Sequence, residues 1–244
     1  MNKTRHNLFL LLSFLLSSLT LASSKEKNLV PYPIKNLVVA TIDGSINPAT
    51  LSYLQSAYKK AASIKNSAVL IKLNTPGGMV STTKDILTLM GNKERPTLIW
   101  VTPEGASATS AGAIISSGAH FLFMSEGTNI GAATPVQMGA DIPKDLRNKA
   151  INDLVALVTS LSEARNRNPK MFANMIEKAS SYKASEALKQ NIINGITSNL
   201  DDIFKAINKK AFSLKGKSFY AKIEKPKIID FPMDIGQSIL NILP

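Results

Sequence analysis

Apolar and polar positions along the chain separate into strand-like and helix-like stretches. Leu37-Val-Val-Ala-Thr-Ile42 is an apolar run of strand length closed by Asp43-Gly44, and Ala68-Val-Leu-Ile-Lys-Leu73 and Thr97-Leu-Ile-Trp-Val101 repeat the pattern. Runs with no polar alternation suit strands covered on both faces, as in a mostly parallel sheet. Between the first two, Leu51, Leu54, Tyr58 and Ala61 make a helical stripe, opened by Asn47 as cap and Pro48 at the first position. A shorter helix is predicted from about Thr82 to Met90, and Phe121 to Met124 reads as a further strand. Strands alternating with helices call for right-handed crossovers and an α/β architecture.

Two stretches depart from that alternation. Gly105-Ala-Ser-Ala-Thr-Ser-Ala-Gly112 holds only small residues and runs into Ala113-Ile-Ile-Ser-Ser117. It predicts a strand, a tight turn and a helix packed too closely for side chains larger than Thr. Farther on, Ile151, Leu154, Val155, Val158 and Leu161 mark a long amphipathic helix, on which Lys149 falls opposite the apolar stripe. Asn168-Pro169 opens the next helix, and Ala184 to Gln190 forms a short one with Asn191 suited to a left-handed cap.

The two ends follow other rules. Lys3, Arg5 and His6 precede an apolar stretch from Leu8 to Leu21 and then Ala22, Ser23 and Ser24, the order of a secretory signal peptide. The expectation is an exported protein, periplasmic or otherwise extracytoplasmic, with residues 1–24 cleaved or kept as an anchor. A linker over 25–36, one main domain over 37–212 and a basic, then amphipathic tail over 213–244 complete the expected organisation. Phe231 to Pro244 carries Asp234 and is too short to span a bilayer.

Composition narrows the chemistry. The chain has no cysteine, which excludes disulfides, a thiol nucleophile and a Cys-based metal site. His120 is the one histidine outside the signal-like segment, so no histidine-rich metal centre is expected, and no cofactor. The net charge of +12 gathers toward the C-terminus, at Lys205, Lys209, Lys210, Lys215, Lys217, Lys222, Lys225 and Lys227. Such a cluster suits a solvated surface or an anionic membrane, where each basic residue contributes about 1 kcal/mol. With no recognised binding motif, nucleic acid is not an expected partner.

A hydroxyl at the head of a helix, near a glycine turn, has the arrangement that acyl transfer requires. The helix N-terminus supplies N–H groups where an oxyanion develops, and Gly77 and Gly78, lacking Cβ, let their backbone approach a substrate carbonyl. Ser107 and Ser110 are the candidate hydroxyls. Glu104 and Glu126 have no paired carboxylate at a defined spacing, Asn74 and Asp43 suit turns, and Asp201-Asp202 suits the acidic first turn of a helix.

Leu73-Asn-Thr-Pro-Gly-Gly78 and Gly105-Ala-Ser-Ala-Thr-Ser-Ala-Gly112, followed by Gly127-Thr-Asn-Ile-Gly-Ala132 and Ala184-Ser-Glu-Ala187, resemble the NfeD-type membrane serine proteases, relatives of the Clp protease and signal peptide peptidase A. The resemblance covers roughly Leu37 to Phe212. It implies a Clp/crotonase-like fold of repeated ββα units with flanking helices, and endopeptidase activity against apolar segments, such as those of a stomatin-like membrane protein. It also implies a homodimer or larger homo-oligomer. Within the motif Ser110 matches the nucleophile and Ser107 does not. Clp protease places a histidine base where this chain has Asn129-Ile-Gly-Ala-Ala133, so a lysine is expected instead; matching the run Thr159 to Asn168 puts it at Lys149, with Lys144 the nearest competitor. The oxyanion hole falls to Gly77, Gly78 and Ala111. Longer members continue into transmembrane helices and a small β-barrel, so a truncated form stays open. Two other functions share this fold, a non-catalytic module that captures apolar peptides and an acyl-CoA hydratase or isomerase; export speaks against the second.

Overall fold

Strands that are apolar on both faces must be covered on both, and the computed structural model, which describes residues 29–135 and 143–233, satisfies that demand with one sheet between two cores. The strands in chain order are β1 (Val30–Asp43), β2 (Ser67–Asn74), β3 (Thr97–Val101), β4 (Ser107–Thr109), β5 (Phe121–Met124), β6 (Asn129–Gly131), β7 (Ser181–Lys183), β8 (Gly195–Ile196), β9 (Ala211–Leu214) and β10 (Lys217–Asp230). The main sheet has the order β8-β5-β3-β2-β1-β10-β9 and is parallel except for the β9–β10 hairpin. Successive residues point to opposite cores. In β3, Ile99 and Val101 join one, and Leu98 and Trp100 the other.

The helices are α1 (Pro48–Ala62), α2 (Val80–Asn92), α3 (Ala111–Ser117), α4 (Lys144–Ala164), α5 (Pro169–Glu177), α6 (Ala184–Lys189) and α7 (Leu200–Ile207). Asn47 caps α1 as its sequence predicts: its side chain accepts from the Thr50 N–H, and Thr50 Oγ1 accepts from the Asn47 N–H. Asn191 takes the left-handed conformation expected of it, with φ of 56°. Asn168 does precede α5, yet its side chain makes no capping bond.

The repeated ββα unit is present in graded form. β3 leads to β4 and α3, and β5 leads to β6 and α4; β4 and β6 pair in a second, three-stranded sheet with β7. The earlier units keep only remnants of that second layer, as single parallel bridges between Ile46 and Gly78 and between Thr75 and Ala108. This secondary ladder runs past the C-terminal ends of the main strands. There it carries both the Pro-Gly-Gly turn and Ser110.

The chain ends differ from the sequence-based expectation. Residues 217–230, expected in a tail, form β10, which pairs in parallel with β1 from Val30↔Phe219 to Val39↔Asp230. The basic residues alternate with ones that face the core: Ala221 is fully buried, while Lys222 pairs with Glu224, which also binds Lys35. Likewise β1 begins at Val30, inside the expected linker. Pro31 and Pro33 are tolerated because this part pairs only with β10, the partnership with β2 starting at Asn36. Residues 1–24 and the final amphipathic stretch beyond Met233 lie outside the described residues. Among the described residues no helix is long and apolar enough to cross a membrane.

Since β10 covers one edge of β1 and supplies Ala221 to the core, a chain ending at Gly216 is expected to lose cooperative thermal unfolding, followed by circular dichroism. A melt like that of the full chain would show that 217–230 is dispensable.

Candidate active site

Ser110 is held by its main chain in a conformation that L-residues avoid, with φ of 54° and ψ of −113°. Its N–H donates to Gly131 O at 2.9 Å, and its carbonyl accepts from Ala113 and Ile114 N–H at 3.0 and 3.2 Å, starting α3. Such strain costs about 1–3 kcal/mol and persists only where neighbours over-determine it. Its result is a half-buried serine directed off the helix head, whose Oγ makes no hydrogen bond among the described residues.

Gly77 faces that serine. A Cβ on Gly77 would stand 2.7 Å from Ser110 Cβ, 3.1 Å from Ser110 Oγ and 3.6 Å from Ala111 N. Its φ of 123° also requires glycine. Next to it, Gly78 is pressed against the Ile46 backbone, where Ile46 N–H donates to Gly77 O and Met79 N–H to Ile46 O. Thr75 fixes the turn: its hydroxyl accepts from Gly77 N–H at 3.1 Å and donates to Gly77 O at 3.2 Å. The Gly77 N–H is therefore occupied within the turn. The N–H groups of Gly78 and Ala111 have no acceptor among the described residues, and they are the donors left for an oxyanion.

The other expected residues sort clearly. Ser107 donates to Asn129 Oδ1 and its N–H to Asn74 Oδ1, so it braces β4; Asn74 in turn donates to Asp43. Lys149 lies on the first turns of α4, where every residue from 143 to 150 is exposed and Leu146 is 58% exposed. One turn farther along, Asp153 pairs with Lys84 of α2, and the hydrogen bond from Lys84, then its charge and to a lesser extent that of Lys149, hold the carboxyl below the usual range. Among the described residues no hydrogen bond joins Lys149, or Lys144, to Ser110. Periodicity had already placed Lys149 off the apolar stripe.

His120 is remote from this site. It precedes β5 at the end of the sheet opposite Ser110, 5% exposed, and its Nδ1 accepts from Thr97 N–H at 3.0 Å. Burial, with Arg165 and Arg167 adding to it, holds the imidazole well below its ordinary value, so it stays neutral. Sequence reasoning did not single out these two arginines. Arg165 donates to Gly118 O and Ser213 O, and the fully buried Arg167 donates to Ala119 O and Asn194 Oδ1. Burial pulls Arg167 down to about 9. No group of three or more His, Asp or Glu residues suited to a metal ion occurs among the described residues.

Comparison with known proteins follows the same residues. A family model described as NfeD1b, N-terminal domain, matches residues 36–210. The membrane-bound protease PH1510 of Pyrococcus horikoshii is 33% identical over 183 residues, which is 73% of this chain and 41% of that protein. The chain thus spans about two fifths of the length of this relative. A solved structure of the 1510-N membrane-bound stomatin-specific protease, a lysine-to-alanine variant with a substrate peptide, superposes with a TM-score of 0.78 at 26% identity, covering 85% of this chain and 97% of that one. A serine-to-alanine variant gives 0.71 at 28% identity, covering 82% and 98%. ClpP1 from Listeria monocytogenes, with a TM-score of 0.57 at 18% identity over 68% of this chain and 94% of that one, shares the fold.

Two outcomes follow from the geometry. Ser110→Gly relieves the left-handed strain and should melt higher than Ser110→Ala, by a difference of about 1 kcal/mol in urea unfolding; equal stability would mean that the turn stores no strain. The unfolded chain takes up a proton at His120 that the folded one refuses. Stability should therefore hold above the ordinary imidazole value of about 6.5 and fall as pH drops below it. Thermal melts from pH 7.5 to 5 should show that loss, with a smaller loss in His120→Gln.

Proposed function

The chain belongs to the NfeD1b N-terminal-domain family, and from that premise we propose that it is a serine endopeptidase that cleaves apolar peptide segments through a Ser110–Lys149 dyad. The observation that carries the reading is Ser110 itself, a hydroxyl in a strained turn, opposite Gly77 and beside two N–H groups, all three without a hydrogen-bond partner among the described residues. In the mechanism, Ser110 Oγ attacks the scissile carbonyl while Lys149 takes its proton and later gives it to the leaving amine. The Gly78 and Ala111 N–H groups stabilise the tetrahedral oxyanion. In the solved relatives one serine and one lysine are replaced by alanine some forty positions apart, a spacing close to that between Ser110 and Lys149.

Completion of the dyad requires something to cover the start of α4. We assign that role to a second copy of this chain, because Lys149 and Leu146 are exposed together on a helix end that its own domain leaves bare. By analogy with a relative specific for a stomatin homologue, the substrate is an apolar stretch of a membrane protein of that kind. Residues 1–24 direct the chain across the membrane, which places the site on the extracytoplasmic side, and the exposed lysines of the C-terminal strands rest near anionic lipid.

The separation of Lys149 from Ser110 within one chain favours a second reading, a module that binds apolar peptides without cutting them. Cleavage of such peptides separates the two. Ser110→Ala and Lys149→Ala should each lower kcat by roughly 10^3-fold or more, and Lys149→Arg should not restore it, because a guanidinium does not surrender its proton. Mixing the two alanine variants should recover part of the activity if one subunit serves the other. Tight binding without turnover in the unsubstituted protein would leave the binding module standing.

A further inference from the structure

Beside the strained serine, a line of side-chain hydrogen bonds crosses the ends of five strands. Asn74 Nδ2 donates to Asp43 Oδ1 at 2.9 Å, and Asn74 Oδ1 accepts from the Ser107 N–H at 3.0 Å. The Ser107 hydroxyl donates to Asn129 Oδ1, and Asn129 Nδ2 reaches Ser181 Oγ at 3.4 Å. These residues belong to β1, β2, β4, β6 and β7; Asp43 stands directly opposite Asn74, as Ser107 does opposite Asn129. All five are partly or fully exposed, while the next residues along β4 and β6, Ala108 and Ile130, turn into the core.

The main chain alone gives β4 little hold on the Pro-Gly-Gly unit. The Thr75 N–H donates to Ser107 O at 2.7 Å and the Thr109 N–H to Thr75 O at 3.1 Å, and this single bridge is their backbone union among the described residues. A strand of three residues held by one bridge is free to pivot on it. Asn74 adds a third attachment, one residue before Thr75, and the Ser107–Asn129 bond fixes the far side against β6. Ser110 follows Thr109 at the end of this short lever. Its hydroxyl lies so close to Gly77 that a Cβ there would stand 3.1 Å from Oγ, so a tilt of β4 directly changes where Oγ points relative to the Gly78 and Ala111 N–H groups. Displacements on the order of 1 Å at a reacting group cost about a hundredfold in rate.

We propose that Asn74, oriented by Asp43, is a positioning residue for the reaction: by holding the Ser107 N–H it sets the height of β4 and thereby the aim of the Ser110 hydroxyl at a bound carbonyl. This role rests on the peptidase reading above. The chemistry of the side chain matters as much as its place. At the centre of the line the residue must accept from Ser107 and donate to Asp43 at once, which an amide does with its two ends. A carboxylate in the same place accepts but has nothing to donate, and it meets the Asp43 carboxylate as a like charge.

Turnover of an apolar peptide by the full chain, together with the rate at which a fluorophosphonate labels Ser110, tests the idea. In Asn74→Asp both kcat and the labelling rate should fall by about tenfold or more, with KM held within about twofold. Adding Asp43→Asn to that variant reverses the pair, the amide at position 43 donating to the carboxylate at position 74, and should restore most of the lost rate. Asn129→Ala, which releases the Ser107 hydroxyl, should slow both rates by about threefold and serves as the second variant should Asn74→Asp not fold. A line that served stability alone would lower the melting temperature and leave both rates as they were. Unchanged rates in either single variant, a rise in KM at constant kcat, or no recovery on adding Asp43→Asn would overturn the proposal. Labelling without cleavage in the unsubstituted chain would sink the peptidase reading and leave the labelling rates to decide this one, whereas neither labelling nor cleavage would overturn both.

Discussion

Gly77 and Ser110 approach so closely that neither position tolerates an ordinary residue in an ordinary conformation, and the architecture around them serves that approach. Gly77 has no side chain to give way, and Ser110 has turned its backbone into the left-handed region. Each is held from two sides, Gly77 by Thr75 and Ile46, Ser110 by Gly131 and the first turn of α3. Those supports come from four successive units, since Ile46 follows β1, Thr75 follows β2, α3 follows β3 and β4, and Gly131 ends β6. The site is therefore a property of the order of the strands, and displacement of any one unit alters the spacing between the Pro-Gly-Gly turn and Ser110.

Much of this was legible in the sequence because local chemistry determined it. Asn47-Pro48 specified a helix start, unbroken apolar runs specified doubly covered strands, and two short small-residue motifs located the turn and the serine. What escaped were facts that depend on distant partners. The stretch 217–230 reads as a tail because its lysines dominate the pattern, yet Phe219, Ala221 and Ile223 turn toward the core at every second position as in a strand, and only the pairing with β1 distinguishes the two. The secondary ladder was invisible for a similar reason, since single bridges at Ile46 and Thr75 leave no periodic trace. Arg165 and Arg167 stood in a polar run, and their burial arises from α3 and α4 ending together, which no local pattern encodes.

The two ends of the sheet consequently have different electrostatic characters. At the Ser110 end, uncommitted backbone N–H groups provide weak, fixed positive potential suited to charge that appears during a reaction. At the other end, formal positive charge is buried on two guanidiniums, with carbonyl oxygens as the main partners. Burial of arginine without a carboxylate is expensive, and the carbonyls at Gly118 and Ala119, where α3 ends, offset part of the cost with the negative end of the helix.

The parallel union of β1 and β10 gives the chain a mechanical property. The described structure is entered at the start of β1 and left just after the end of β10, and because these strands run the same way, entry and exit lie at opposite ends of one shared ladder. Tension applied between them would load all of those hydrogen bonds together in shear, where an antiparallel pair joined at one end would unzip bond by bond. The fold can thus transmit a pull across its full height while the turn that carries Ser110 stays unstretched.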